Sequence, residues 1–128
     1  MTKTQTAKTI PFPQVIDALL DNEKPFSPTY LHRFSDLTSE NVKKLNEIWL
    51  QITTQRRISL LEDLEELSDH DTLVSFEDVA KIALHDPDPK VRVVAINLLW
   101  ENDDDSLGPK FIEMMQKDPD EVVRAAAA

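Results

Sequence analysis

Apolar residues recur along this chain at three- and four-residue intervals, and marks of Pro, Asp, Ser and Thr separate the runs. That period predicts helices throughout. After Pro13, residues Val15, Ile16, Ala18, Leu19 and Leu20 outline a short helix closing near Asp21–Asn22. Pro25 and Pro28 interrupt the chain, and Tyr30, Leu31 and Phe34 outline a second. Ser39 can cap a third, with Val42, Leu45, Ile48, Trp49 and Ile52 on one face. Thr53 or Thr54 opens a fourth, with Ile58, Leu60, Leu61, Leu64 and Leu67 inward. A fifth is expected from about Thr72 to Leu84, showing Phe76, Val79, Ala80 and Ala83 to the core. Asp88-Pro89 starts the sixth, because proline at a first helical position forfeits no bond, and it buries Val91, Val94, Ala95, Leu98 and Leu99. Ser106 to Lys117 is the seventh, with Leu107, Phe111, Ile112 and Met115 inward, and Asp120 starts an eighth. Alternation of period two never persists, and short connections between helices are the mark of antiparallel helical hairpins. The fold class is all-α.

The chain also repeats itself. Asp86-Pro87-Asp88-Pro89-Lys90-Val91-Arg92 returns as Asp118-Pro119-Asp120-Glu121-Val122-Val123-Arg124, and the preceding helices agree in the same register, Val79 with Phe111 and Ala83 with Met115. A fainter copy lies upstream, where Arg57 matches Arg92, Leu60 matches Ala95 and Leu64 matches Leu99. Helical pairs repeating every 30–45 residues or so signify a solenoid, in which each pair buries its face against its neighbours.

The pattern D-x-D-x-x-V-R-x-x-A-x-x-x-L behind an apolar helix resembles HEAT repeats of the phycobilisome-lyase-like type, best over residues 72–128. The stretch Leu37–Trp100, with Trp49, Arg56-Arg57 and Asn97-Leu98-Leu99-Trp100, resembles a bacterial subgroup of HEAT-repeat proteins with no assigned activity. The resemblance implies a right-handed α-solenoid, a superhelix of about eight helices in antiparallel pairs. The expected organisation is a disordered arm over 1–10 and one domain over 11–128. That domain divides into a degenerate cap pair at 11–36, pairs at 37–70 and 71–101, and a pair at 105–128 cut off inside its last helix. Asp88 and Asp120 are placed to accept N–H groups at helix starts. The resemblance implies that Arg92 and Arg124 bridge to aspartates of adjacent units. Asp86, Asp88, Arg92, Asp118, Asp120 and Arg124 are accordingly expected to be structural, not catalytic.

Composition narrows the chemistry. One glycine, Gly108, leaves no Gly-rich phosphate loop or nucleophile elbow, and the lack of cysteine removes disulfides, thiolate metal sites and Cys nucleophiles. The net charge of −10 is lopsided: residues 1–64 balance, and the whole excess falls in 65–128. Such a surface repels nucleic acid phosphates and anionic lipid headgroups, so neither nucleic acid nor membrane is an expected partner. The same charge argues against a HEAT-like DNA repair domain. No run is apolar enough to span a bilayer and the N-terminus has no secretory signal, which leaves the cytoplasm as the expected location.

Three histidines supply all the imidazole. His70-Asp71 and His85-Asp86 invite comparison with H-D phosphohydrolases, but both dipeptides are expected at turns, where Asp serves as a cap, and His32 lies in the cap pair. HEAT-repeat hydroxylases that hold di-iron use His-Glu dipeptides, and the chain has none. Glu101-Asn102-Asp103-Asp104-Asp105 lacks the offsets of a calcium loop. Trp49 and Trp100 both sit at core spacing, and Trp100, beside the acidic run, is the candidate interface anchor with Asp103, Asp104 and Asp105. The reading is a non-catalytic scaffold without cofactor or metal, binding a protein or peptide on the inner face made by the second helix of each pair. An accessory bilin lyase acting on a chromophore-carrying partner is the alternative, and it rests on the family resemblance alone. Self-association through the C-terminal end is a further expectation, because a solenoid's last unit needs a polar outer face.

Overall fold

A computed structural model of the chain describes residues 10–71, 73–100, 113 and 115–127, apart from the side chain of Trp100. Among these residues the backbone is helical and contains no strand. The α-helices are α1 (Phe12–Leu20), α2 (Ser39–Ile48), α3 (Thr54–His70), α4 (Glu77–Ala83), α5 (Pro89–Trp100) and α6 (Glu121–Ala127), with 3-10 segments at Pro28–Phe34 and Trp49–Gln51. Residues 113 and 115 are also helical. The candidate contacts Asp103, Asp104 and Asp105, the Trp100 side chain, and most of the Ser106–Lys117 helix lie outside the described residues.

Each start has a local cause. Thr38 caps α2 by accepting from Asn41 N at 3.1 Å, so the cap sits one residue before the expected Ser39, which is already helical. Thr53 caps α3 through Arg56 N at 3.2 Å. Asp88 accepts from Lys90 N at 2.8 Å at the start of α5, and Asp120 accepts from Val122 N at 2.9 Å at the start of α6. The second helix is a 3-10 turn opened by Ser27 and Pro28.

Two boundaries differ from expectation for tertiary reasons. Helix α4 begins at Glu77, not near Thr72, because the backbone before it is engaged elsewhere. Ser75 N donates to Ser35 Oγ at 2.9 Å and Ser75 O accepts from Asp36 N at 3.1 Å, with Asp36 held at φ 52°. Those long-range bonds offset the helical bonds given up. Ile10, expected at the end of the N-terminal arm, is buried, and its carbonyl accepts from Arg33 Nε at 2.7 Å; the rest of that expected arm lies outside the described residues.

One continuous core runs through the described residues. It takes Val15, Leu19 and Phe34 from the first elements, Leu45 and Ile52 around the second turn, Leu60, Leu61 and Leu64 from α3, and Val79, Val91 and Ile96 beyond. Helix α3 packs on α5, α4 on α5, and α5 on α6, so each element leans mainly on near neighbours. No described helix is long and apolar enough to cross a membrane.

Candidate functional site

The charged residues of the repeat form two rungs between units. In the first, Arg57 Nη1 donates to Asp86 Oδ2, and both side chains are almost wholly buried. The same oxygen accepts from Trp49 Nε1 at 2.7 Å, while Asp86 Oδ1 accepts from Asp88 N at 2.8 Å. The second rung repeats the arrangement one unit on. Arg92 Nη2 donates to Asp118 Oδ1 at 3.0 Å, its Nε lies 2.8 Å from Oδ2, and Asp118 Oδ1 accepts from Asp120 N at 2.9 Å.

A pair of charges removed from water holds only when hydrogen bonds satisfy the remaining lone pairs. Here each aspartate closes its own turn with one oxygen and receives a guanidinium with the carboxylate. Arg92 and Arg124 are also tied to main chain, Arg92 Nη1 donating to Asp86 O at 2.8 Å and Arg124 Nη1 to Asp118 O at 2.7 Å, while Arg57 Nη2 donates to Thr54 Oγ1 at 2.8 Å. The structure therefore brings Asp86 and Asp88 together at one turn and Asp118 and Asp120 at the next, with Arg92 joining the two. Among the described residues, Arg124 donates only to carbonyl oxygens.

Residues 76–128 match a family model described as HEAT repeats. This part of the chain is similar to HEAT repeats. No curated protein and no solved structure matches the chain. In the matched segment, Asp86, Asp88, Arg92, Asp118 and Asp120 are engaged with backbone and with each other.

His70 is the exposed last residue of α3 rather than part of the turn, and His85 is exposed in the turn between α4 and α5. His32 lies 3.7 Å from Asp71 across a half-exposed contact. Among the described residues no group of three His, Asp or Glu could hold a metal ion.

The surface that stands out is on α3, before the matched HEAT segment. Its helical period puts Glu62, Asp63, Glu66 and Asp69 on the exposed side. No cation pairs with them among the described residues. Burial, then Glu66 and Glu62, raises the carboxyl pKa of Asp63. Burial, then Asp69 and Glu62, does the same to Glu65. The charged state of this ridge is thus held against its own repulsion.

A groove of about 530 Å³ opens at the N-terminal end of the ridge, lined by Asn22, Phe26, Thr53, Gln55, Ser59 and Asp63 among others. Arg56 shapes its wall. Arg56 Nη2 donates to Asp21 O at 3.0 Å and to Lys24 O at 2.8 Å, and its guanidinium lies over the Phe26 ring at 5.9 Å. The groove is apolar at Phe26, hydroxyl-bearing at Thr53 and Ser59, positive at Arg56 and negative at Asp63.

Arg57, Trp49 and the α3 acids are not among the site residues that the sequence marks. Arg57 was in register with Arg92, which is the signal that marks it as a rung. Trp49 reads from its spacing only as core, and nothing local shows that its N–H meets an aspartate 37 residues on. The α3 acids are unremarkable by composition, and only the lack of neighbouring cations makes them a surface.

Proposed function

We propose that the chain is a non-catalytic scaffold, a right-handed superhelix of about eight helices, that binds a basic protein or peptide segment along the exposed side of α3. The observation that carries this reading is the unpaired ridge of Glu62, Asp63, Glu66 and Asp69 ending in the groove beside Asp63 and Phe26. HEAT repeats are commonly protein-interaction scaffolds, and helical arrays present extended surfaces suited to this. A lysine or arginine seated at Asp63 would relieve the repulsion there, while its apolar stem lies against Phe26. The engagement of the turn aspartates in structure supports a role without catalysis.

The test is affinity capture on the immobilised chain, followed by titration of the identified partner against a Glu62→Gln/Asp63→Asn/Glu66→Gln variant. Exposed charge pairs contribute roughly 0.2–1 kcal/mol each, so losing three should weaken binding about 3- to 150-fold, and added salt should have a similar effect. Equal binding by the variant at low salt would rule the α3 surface out.

A further inference from the structure

On α3, the groove residues Gln55, Ser59 and Asp63 lead into Glu66 and Asp69 at steps of four and three residues, with Glu62 alongside. One helical stripe therefore joins the groove to the ridge. At about 1.5 Å of rise per residue it is about 21 Å long, and successive acids along it stand about 4.5–6 Å apart. Its two ends differ in sign. Arg56 stands in the groove wall at the N-terminal end, where the helix dipole is positive too, and Asp69 lies at the C-terminal end.

The shape of the surface selects among the ways a peptide can be held. An extended segment adds main-chain hydrogen bonds to a sheet edge, and the described residues include no strand. A polyproline segment docks between aromatic side chains, and among the described aromatics Phe26 alone lines this groove. A helix brings its backbone bonds already made, and its side chains recur on one face at the same rise as the acids. Alternate residues of an extended chain recur at about 6.6 Å and fall about 3 Å out of step between Glu62 and Asp69.

We propose that the occupant of the α3 surface is an amphipathic helix of another protein, running antiparallel to α3. It carries Lys or Arg at i, i+3 and i+7 over Asp69, Glu66 and Glu62, and an apolar residue one turn further on against Phe26. Antiparallel packing sets the partner's positive N-terminal end at Asp69 and its negative C-terminal end at Arg56, so dipoles and side chains agree in sign. A second copy of the chain does not supply this helix, because no described α-helix carries three basic residues. The inference rests on the α3 reading above and specifies its partner.

The experiment titrates the full chain with three synthetic peptides of about 16 residues, the scale of the stripe. The first has Lys at i, i+3 and i+7 and Leu one turn on, in an Ala/Gln background. The second replaces a central Ala by Pro, and the third is the first in reverse order. Fluorescence anisotropy reads affinity, and Cα shifts of the carbon-13-labelled peptide read its conformation. The first peptide should bind saturably and become helical. The Pro peptide should bind about tenfold more weakly or worse, and the reversed peptide about threefold more weakly. Equal binding by the Pro peptide, or Cα shifts of the bound peptide that stay those of a coil, would overturn the helix, and equal binding by the reversed peptide would overturn the orientation. If all three bind alike and Glu62→Gln/Asp63→Asn/Glu66→Gln weakens them alike, this inference fails and the α3 reading stands. If none binds at low salt, both fail.

Discussion

At the scale of single residues, Asp86 is the most constrained group described. Its carboxylate receives Arg57, Trp49 and the backbone of Asp88 with almost no solvent access. Asp86→Asn leaves a buried guanidinium without its counter-ion, and loss of one partner of such a pair costs about 3–5 kcal/mol. Urea unfolding should show that loss as a lower midpoint. The Arg92–Asp118 rung is somewhat more open, with 13% and 5% of its side chains exposed, so Asp118→Asn should cost less, about 1–3 kcal/mol. Trp49→Phe keeps the apolar body and removes one donor, and should fall at about 1–2 kcal/mol by the same assay. The spacing of Asp86, Arg92, Asp118 and Arg124 was legible from the repeat. Which oxygen met which arginine was not, because the pairs form across units and their geometry depends on how α3, α5 and α6 pack.

At the scale of elements, the caps at Thr38, Thr53, Asp88 and Asp120 follow a rule that local sequence carries well, correct to within a residue even at Ser39. Thr53→Ala should cost about 0.5–2 kcal/mol in the same unfolding assay. Helix α4 shows where local reading fails: residues 73–76 have helical neighbours, yet Ser75 is held by Ser35 and Asp36 from 40 residues away. Helix α3 adds a pH effect. Burial and like charge raise the pKa of Asp63 and Glu65 in the folded chain, and burial foremost raises that of Asp78 despite the Leu37 N–H and Lys81 beside it. A carboxyl whose pKa is raised on folding binds its proton more tightly in the native state, so its penalty is full at neutral pH and fades as pH falls through the folded value. Glu66→Gln removes one source of that repulsion. Urea midpoints of the variant should lie above those of the parent at pH 7, with the gap closing as the pH is lowered into the carboxylate range. A constant gap at all pH values would mean that charge is not its cause.

At the scale of the whole molecule, α3, α5 and α6 are joined in series, each by packing on its neighbour and by one Arg–Asp rung. Nearest-neighbour arrays lose stability locally when one interface is cut, unlike a domain with a single shared centre. The lopsided charge fits this arrangement. Part of the acid excess in residues 65–128 is fixed in rungs and caps, at Asp86, Asp88, Asp118 and Asp120. The central claim is that the repeat's aspartates and arginines serve to couple units. Hydrogen exchange of the native protein, compared between the parent and Asp118→Asn, tests it most directly. Protection should fall across residues 116–127 and persist in α1 to α3. Unchanged protection in α6, or an equal loss along the whole chain, would contradict it.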